Sequence, residues 1–315
     1  MDISVIVPTY NRAASLRVTL QGLLSQVLPA DLSWELLVVN NNSDDETCEV
    51  TRMFAATASV PVRYVFEQRQ GRSSALNAGI AAANGEIIAL TDDDVLLHPG
   101  WLGSVKRTFA EFDCSAVAGR VVPVWNHSKP DWLEMGEQQA VVNFELGDDC
   151  KQIQCPPLGA NAAFRRNVFA KYGLFRLDLG VSGSDHGITC EDTEFGFRLV
   201  QGGEKIMYCP SAIVYHPVDP RRTTKDYFLK WYYNDGRSIV RAAGVSNDVI
   251  CYFGIPRWML RGVFTHFAKW CLSLNRKRRF HHKLRTYRNI GNIVEAYRLS
   301  HMRAPATSCP ELRNR

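Results

Sequence analysis

The chain has 315 residues, 46% hydrophobic and 22% charged, a composition that permits a substantial core and excludes global disorder. Its net charge of +5 hides an asymmetry: residues 1–218 carry 17 Lys and Arg against 26 Asp and Glu, whereas residues 219–315 carry 20 against 6. The opening MDISVIVPTYNR lacks the marks of a signal peptide, no apolar run of about 18 residues crosses a bilayer, and nine scattered cysteines without a Cys-x-x-Cys pair point to a reducing cytoplasm rather than to disulfides or zinc.

Residues 3–7 form a short apolar β-rich run stopped by Pro8, and the polar turn from Thr9 to Arg12 leads into a helix over 13–26. Leu16, Leu20, Leu23, Leu24 and Val27 give that helix an apolar stripe of period 3.6. A second strand, 34–39, runs into Asn40-Asn41-Asn42-Ser43-Asp44-Asp45, followed by a helix over 46–58 and a third strand over 62–66. A helix over 73–83 comes next, with Asn84-Gly85 as its C-cap, and then a buried strand over 86–90. Alternating strands and helices with short connections predict a mostly parallel sheet covered on both faces, with polar loops converging on one edge.

The fourth strand ends in Asp92, Asp93 and Asp94. Three adjacent carboxylates repel, and a cation relieves them; an all-oxygen set selects a hard ion such as Mg²⁺ or Mn²⁺, which usually arrives with a phosphate. A solvated acidic turn is the alternative. Asn40 and Asn42 read either as ligand contacts or as turn residues tolerant of left-handed geometry.

Residues 115–124 are a further apolar run, and 125–133 has the Pro, His and Trp content of a loop over a site. The Gly- and Ser-rich stretch 179–189 reads as a mobile lid in which Asp185 and His186 are solvated. Glu191-Asp192 opens a helix to about residue 201, where a first-turn carboxylate is favoured by the macrodipole, as a general base or simply as a cap. His216 follows a strand over 212–215. Two prolines in HPVDPRR mark a boundary near residues 217–222. Within 255–274, one helical face carries Met259, Leu260, Val263, Phe264, Phe267, Trp270, Cys271 and Leu274 and the other Arg257, Arg261, Thr265, Ala268 and Lys269, with the basic cluster Arg276, Lys277, Arg278 and Arg279 beyond. This reads as an interfacial helix on an anionic membrane or as a helix packed on the body; no nucleic-acid motif accompanies the charge.

VIVPTYNR, ELLVVNNNSDDET, GRSSALNAGIAAANGEIIALTDDD, GANAAFRRNVF and CEDTEFGFRL, in this order, resemble the family 2 inverting glycosyltransferases of the GT-A fold over residues 3–216. The resemblance implies an α/β GT-A (Rossmann-like) catalytic domain over 1–218, with a nucleotide-sugar half at 1–97 and an acceptor half at 98–218, followed by a basic helical extension over 219–315. By the same resemblance Pro8, Thr9, Tyr10, Asn11, Arg12, Asn40 and Asn42 hold the nucleoside. Most relatives have Asp where this chain has Asn40. Arg72 and Asn77 lie beside the diphosphate, Asp92 and Asp93 belong to the donor site, and Asp94, Asp92 and His216 hold Mn²⁺ or Mg²⁺. Gly159, Ala160 and Asn161 face the acceptor, although Gly159 and Ala160 also suit close packing. Asp192 is the base, with Glu191 assisting acceptor contacts. The implied reaction moves a sugar from a nucleotide sugar, UDP-linked in the first instance, to a hydroxyl of a glycan or lipid-linked acceptor at the cytoplasmic membrane face. An inactive nucleotide-sugar-binding scaffold is the alternative.

Overall fold

The structure, a computed structural model, describes residues 1–133, 140–182, 187–245 and 249–302. Asp185 and His186 lie outside the described residues. The chain forms two compact units, Met1–Tyr227 and Phe228–Arg315.

The first unit is built on a mixed sheet. β1 (Ile3–Thr9) pairs in parallel with β2 (Trp34–Asn40) and β4 (Ile87–Thr91), and β2 pairs in parallel with β3 (Val62–Phe66). Beyond β4 the direction changes. β8 (Asn161–Arg165) runs antiparallel to both β4 and β6 (Ala116–Val124), while β6 is parallel to β9 (Ile206–Pro217). Two short strands, β5 (Leu96–Leu97) and β7 (Lys151–Ile153), complete it by pairing antiparallel with β9.

Strand alternation sends side chains to two cores. Val5 and Val7 of β1 pack with Leu16, Leu20 and Leu23 of α1 (Ala13–Leu24) and with Trp101, Val105 and Phe109 of α4 (Trp101–Glu111). α2 (Thr47–Thr57) joins the same face through Val50. Ile6 points the other way, to Ala75, Leu76 and Ile80 of α3 (Arg72–Ala82), Phe169 of α5 (Asn167–Tyr172) and Phe195 of α6 (Glu191–Gln201). The sheet is therefore covered on both faces, as a strand buried on both sides requires.

Two local expectations are corrected. β1 does not stop at Pro8 but runs through Thr9. The Thr9 carbonyl accepts from Asn41 N–H on the β2 side, so Pro8 faces β4, whose pairing with β1 ends at the rung Ile6 to Leu90 and where a missing N–H breaks no ladder bond. Nor do Asn84 and Gly85 form a left-handed cap: α3 ends at Ala83 in an extended conformation and neither residue has positive φ. Gly85 is needed for room, because a Cβ there would lie 2.4 Å from the Ser4 backbone nitrogen.

The second unit contains most of α7 (Lys225–Ala243), a hairpin of β10 (Cys251–Tyr252) and β11 (Ile255–Pro256), α8 (Arg257–Leu272) and α9 (Arg276–Met302). α7 and α9 meet closely, since a Cβ on Gly291 would lie 2.0 Å from the Tyr233 carbonyl oxygen. The buried Glu295 accepts from Arg241 at 2.7 Å and Arg237 at 3.3 Å. Among the described residues no helix is long and apolar enough to cross a membrane.

Candidate active site at the acidic strand end

Pairing directions bring the ends of several strands to one edge. β1, β2 and β4 are parallel and finish there in Thr9, Asn40 and Thr91; antiparallel β8 begins there at Asn161, and β9 reaches it at His216. The three aspartates follow Thr91 directly.

The triplet is neutralised by two arginines from different turns. Arg12, on the turn after β1, reaches Asp94 in a close ion pair and lies 3.3 Å from Asp93. Arg72, the first residue of α3, contacts Asp92 at 2.7 Å through Nη2 and closely pairs with Glu191 through Nη1. That guanidinium ties the aspartate triplet to the Glu-Asp helix start. Gly159 makes the passage possible: a Cβ there would lie 2.8 and 2.9 Å from the Arg72 Nη atoms and 3.2 Å from Asp192 Oδ2.

Asp192 is held from two sides, its Oδ2 accepting from Gly159 N–H at 2.8 Å and its Oδ1 from Thr193 N–H at 2.6 Å. Cys190, just before it, adopts the left-handed conformation with φ 74°. Glu191 and Asp192 thus differ in setting. Glu191 is buried and engaged by Arg72, whereas Asp192 is half-buried with lone pairs to spare.

Burial governs the titration of the cluster. It pushes the Asp93 carboxyl up to about 6 against the pull of Arg12, with Asp94 adding to the rise. It also raises Glu191, which Arg72 only partly offsets. Asp92 is opposed by the same burial, but Arg72 and His216 outweigh it and hold this carboxyl below its ordinary range.

Asp92, Asp94 and His216 each offer a ligand atom, all within 4.8 Å of one another. Donors about 2.1 Å from a single ion lie about 3.0 Å apart when adjacent and about 4.2 Å when opposite, so the three side chains fit an ion by drawing in by more than about half an ångström. His216 is suited to the part. With the proton on Nδ1, it donates to the Pro217 carbonyl at 3.2 Å and leaves Nε2 directed at Asp94 Oδ1, 3.5 Å away. Five carboxylates against two guanidiniums also leave the cluster short of positive charge.

Other residues singled out from the sequence serve the architecture of the site. Asn11 (φ 52°) and Asn42 (φ 63°) take left-handed geometry, and Asn11 locks the two turns together by accepting from Asp44 N–H and donating its own N–H to Ser43. Asn40 donates to the Tyr64 hydroxyl at 2.9 Å and accepts from Ser43 N–H at 2.8 Å. Asn77 exchanges two hydrogen bonds with the Phe175 backbone. Pro8 and Thr9 are buried in β1, while Tyr10 is exposed. The Ala160 carbonyl accepts from Thr91. Asn161 is buried and its amide is fully used, accepting from Trp101 and donating to the carbonyls of Arg120 and Ala212.

Two positioning residues escaped the sequence reading. Asn41 accepts from Gly71 N–H and donates to the carbonyls of Glu67 and Arg69, shaping the turn that delivers Arg72. Tyr64 meets Asn40 only because β3 pairs with β2 in one register. Neither has a local signal beyond an Asn-rich turn and a strand aromatic. The stretch expected as a lid begins pinned: Arg72 N–H donates to the Val181 carbonyl and the Ser73 hydroxyl to the Leu179 carbonyl.

The model of Glycosyl transferase family 2 matches residues 4–173. The chain is 27% identical over 240 residues to a glucosyl-dolichyl phosphate glucuronosyltransferase of Haloferax volcanii, covering 73% of each chain. It is 24% identical over 285 residues to an O-antigen chain rhamnosyltransferase of Salmonella typhimurium, covering 85% of this chain and 87% of that one. Among solved structures, a mannosyltransferase from Pyrobaculum calidifontis in complex with GDP-Man and Mn²⁺ superposes with a TM-score of 0.57 at 21% identity, covering 96% of this chain and 76% of that one. That likeness is one of fold, the GT-A fold.

Proposed function

The chain belongs to glycosyl transferase family 2 and is a glycosyltransferase of glycan or glycoconjugate biosynthesis, and from that premise we propose that it performs an inverting, single-displacement transfer from a nucleoside-diphosphate sugar, UDP-linked in the first instance. The observation that carries this reading is the Arg72 bridge, which links Asp92 of the ligand cluster to the Glu-Asp helix start on which Asp192 is held.

In this reading Asp92, Asp94 and His216 hold Mn²⁺ or Mg²⁺, which when bound offsets charge on the departing diphosphate. Asp192 takes the proton of the acceptor hydroxyl. Its carboxylate is oriented by Gly159 and Thr193 N–H groups, a fixed geometry of the kind a general base needs. Glu191 acts one step back by fixing Arg72, rather than by touching the acceptor. The turns carrying Tyr10, Asn11, Arg12, Asn40 and Asn42 form the donor side, and Gly159 and Ala160 the acceptor side. The acceptor we propose is a glycan or lipid-linked sugar met at the cytoplasmic face of an anionic membrane, with the second unit as the surface element.

Purified protein incubated with uridine, guanosine and thymidine diphosphate sugars, Mn²⁺ and a series of glycoside and polyprenyl-phosphate acceptors tests this. Proton NMR of the product is expected to show an inverted anomeric centre. Asp192→Asn should keep donor affinity and lose about 10²-fold or more in turnover. Retained configuration would overturn the single displacement, and normal turnover by Asp192→Asn would mean that the base lies elsewhere.

A further inference from the structure

We propose that Arg12 is a displaceable counter-ion: it occupies Asp94 when the site holds no cation, and a nucleoside diphosphate draws it away, so that metal and nucleotide bind cooperatively through this guanidinium. The inference rests on the metal reading of the site above.

The two oxygens of Asp94 face different partners. Oδ2 is in close contact with Arg12 Nη1, and Oδ1 lies 3.5 Å from His216 Nε2. A divalent ion gathered by Asp92, Asp94 and His216 is therefore placed beside a guanidinium already bound to one of its ligands. Like charges at that separation repel, and the ion must either displace Arg12 or bind weakly next to it.

Arg12 and Arg72 are unequal in their capacity to move. Arg72 is fixed from two sides, by Asp92 and by Glu191, and lies against Gly159. Arg12 stands on a turn with its side chain 40% exposed, and its ion-pair partners, Asp93 and Asp94, both lie on the one triplet. A change of rotamer is enough to release it. Its natural alternative partner is a diphosphate, which the planar fork of a guanidinium matches better than a single carboxylate oxygen.

The consequence is a linkage. Metal alone must overcome Arg12 without compensation, whereas metal with a diphosphate leaves Arg12 a new anion. By reciprocity each ligand then strengthens the other. Direct contact between phosphate and ion adds to the coupling, so the signature of Arg12 is found in metal binding without nucleotide.

The test is titration of Mn²⁺ into the full-length protein, followed by electron paramagnetic resonance of the free ion, with and without UDP. Arg12→Gln is expected to bind Mn²⁺ alone about 10-fold more tightly than wild type, with the gain conferred by UDP reduced by the same factor. Arg12→Lys, which keeps the charge, should stay close to wild type. If Arg12→Gln binds Mn²⁺ alone no more tightly than wild type, Arg12 does not compete and the inference is overturned. Asp94→Asn separates the two levels: if wild type takes up Mn²⁺ with UDP and Asp94→Asn does not, the metal reading stands and Arg12 is judged on its own result. If no form takes up Mn²⁺ even with UDP, the metal reading fails and the inference falls with it.

Discussion

Gly159 shows how a single residue sets the geometry of the site. Arg72 cannot yield to a methyl group at that position, because Asp92 and Glu191 hold it at both ends. Relief of the overlap therefore shifts the backbone of residue 159, and with it the N–H on which Asp192 Oδ2 is seated. Gly159→Ala is therefore expected to lower kcat/KM by about 10 to 10²-fold, since displacing a base by a few tenths of an ångström spoils its alignment. Melting temperature should fall by only a few degrees, and a variant with unaltered kcat/KM would show that Asp192 is not positioned through this contact. Such dependence is only partly legible in sequence. The places of Asp92, Asp94 and Asp192 at strand and helix ends are visible in the sequence, whereas His216 is singled out only through the family resemblance. What neutralises the aspartates is not visible there: Arg12 and Arg72 reach the triplet across 82 and 20 residues of chain, a pairing that only the folded sheet creates.

At the scale of elements, the order of strands and helices is legible up to β4, because β1, β2 and β4 are mainly apolar and α1 carries a clear stripe, whereas β3, with Arg63 inside it, is marked only by its β-branched and aromatic residues. β5 and β7 leave no such mark; two- and three-residue strands have too few side chains for a period and exist because β9 offers an edge. How elements are tied together is equally hidden. Glu204, just past α6, accepts from the Ser115 hydroxyl, from Lys171 Nζ at 2.6 Å and from the Tyr172 hydroxyl at 2.7 Å, joining α6, α5 and the start of β6. Lys171 first and Ser115 next pull the Glu204 carboxyl from 4.5 down to about 2. The folded state thus binds this proton less readily than the unfolded chain, so the stabilisation is complete above about pH 4.5 and is lost as pH falls toward 2. Because Lys171 is exposed and screened by solvent, the contribution is discounted to about 1 kcal/mol. Unfolding free energies from urea titrations should separate wild type from Glu204→Gln by that amount at pH 6 and by less at pH 3. An equal separation at both pH values would mean that the carboxylate charge is not what joins these elements.

For the whole molecule the decisive feature is the division of charge, with 17 basic against 26 acidic residues up to residue 218 and 20 against 6 beyond it. The second unit spends only part of its apolar surface internally. Met259 is buried on α8, and His266 and Trp270 lie against α9 through His282 and Lys283, while Phe264 is 74% and Phe267 49% exposed. Leu272 and Leu274 continue this open surface toward Arg276, Lys277, Arg278 and Arg279, all exposed. Leu260, Phe264, Phe267 and Cys271 recur at the spacing of one helical face, with Arg257 and Arg261 bordering it. Exposed aromatic residues beside a cationic cluster suit an anionic bilayer surface, where each basic residue contributes on the order of 1 kcal/mol and the apolar stripe adds burial that salt does not screen. Liposome flotation is expected to show binding that grows with anionic lipid and weakens, without vanishing, at high salt. Replacing Phe264 and Phe267 together by Asp should abolish the salt-resistant part, and replacing the cluster from Arg276 to Arg279 by Ala should remove most of the dependence on anionic lipid. Because these side chains are exposed, neither change should disturb folding or donor binding. If the intact protein ignores anionic liposomes at low salt, the open stripe of α8 is not a membrane surface and the acceptor has to be sought in solution.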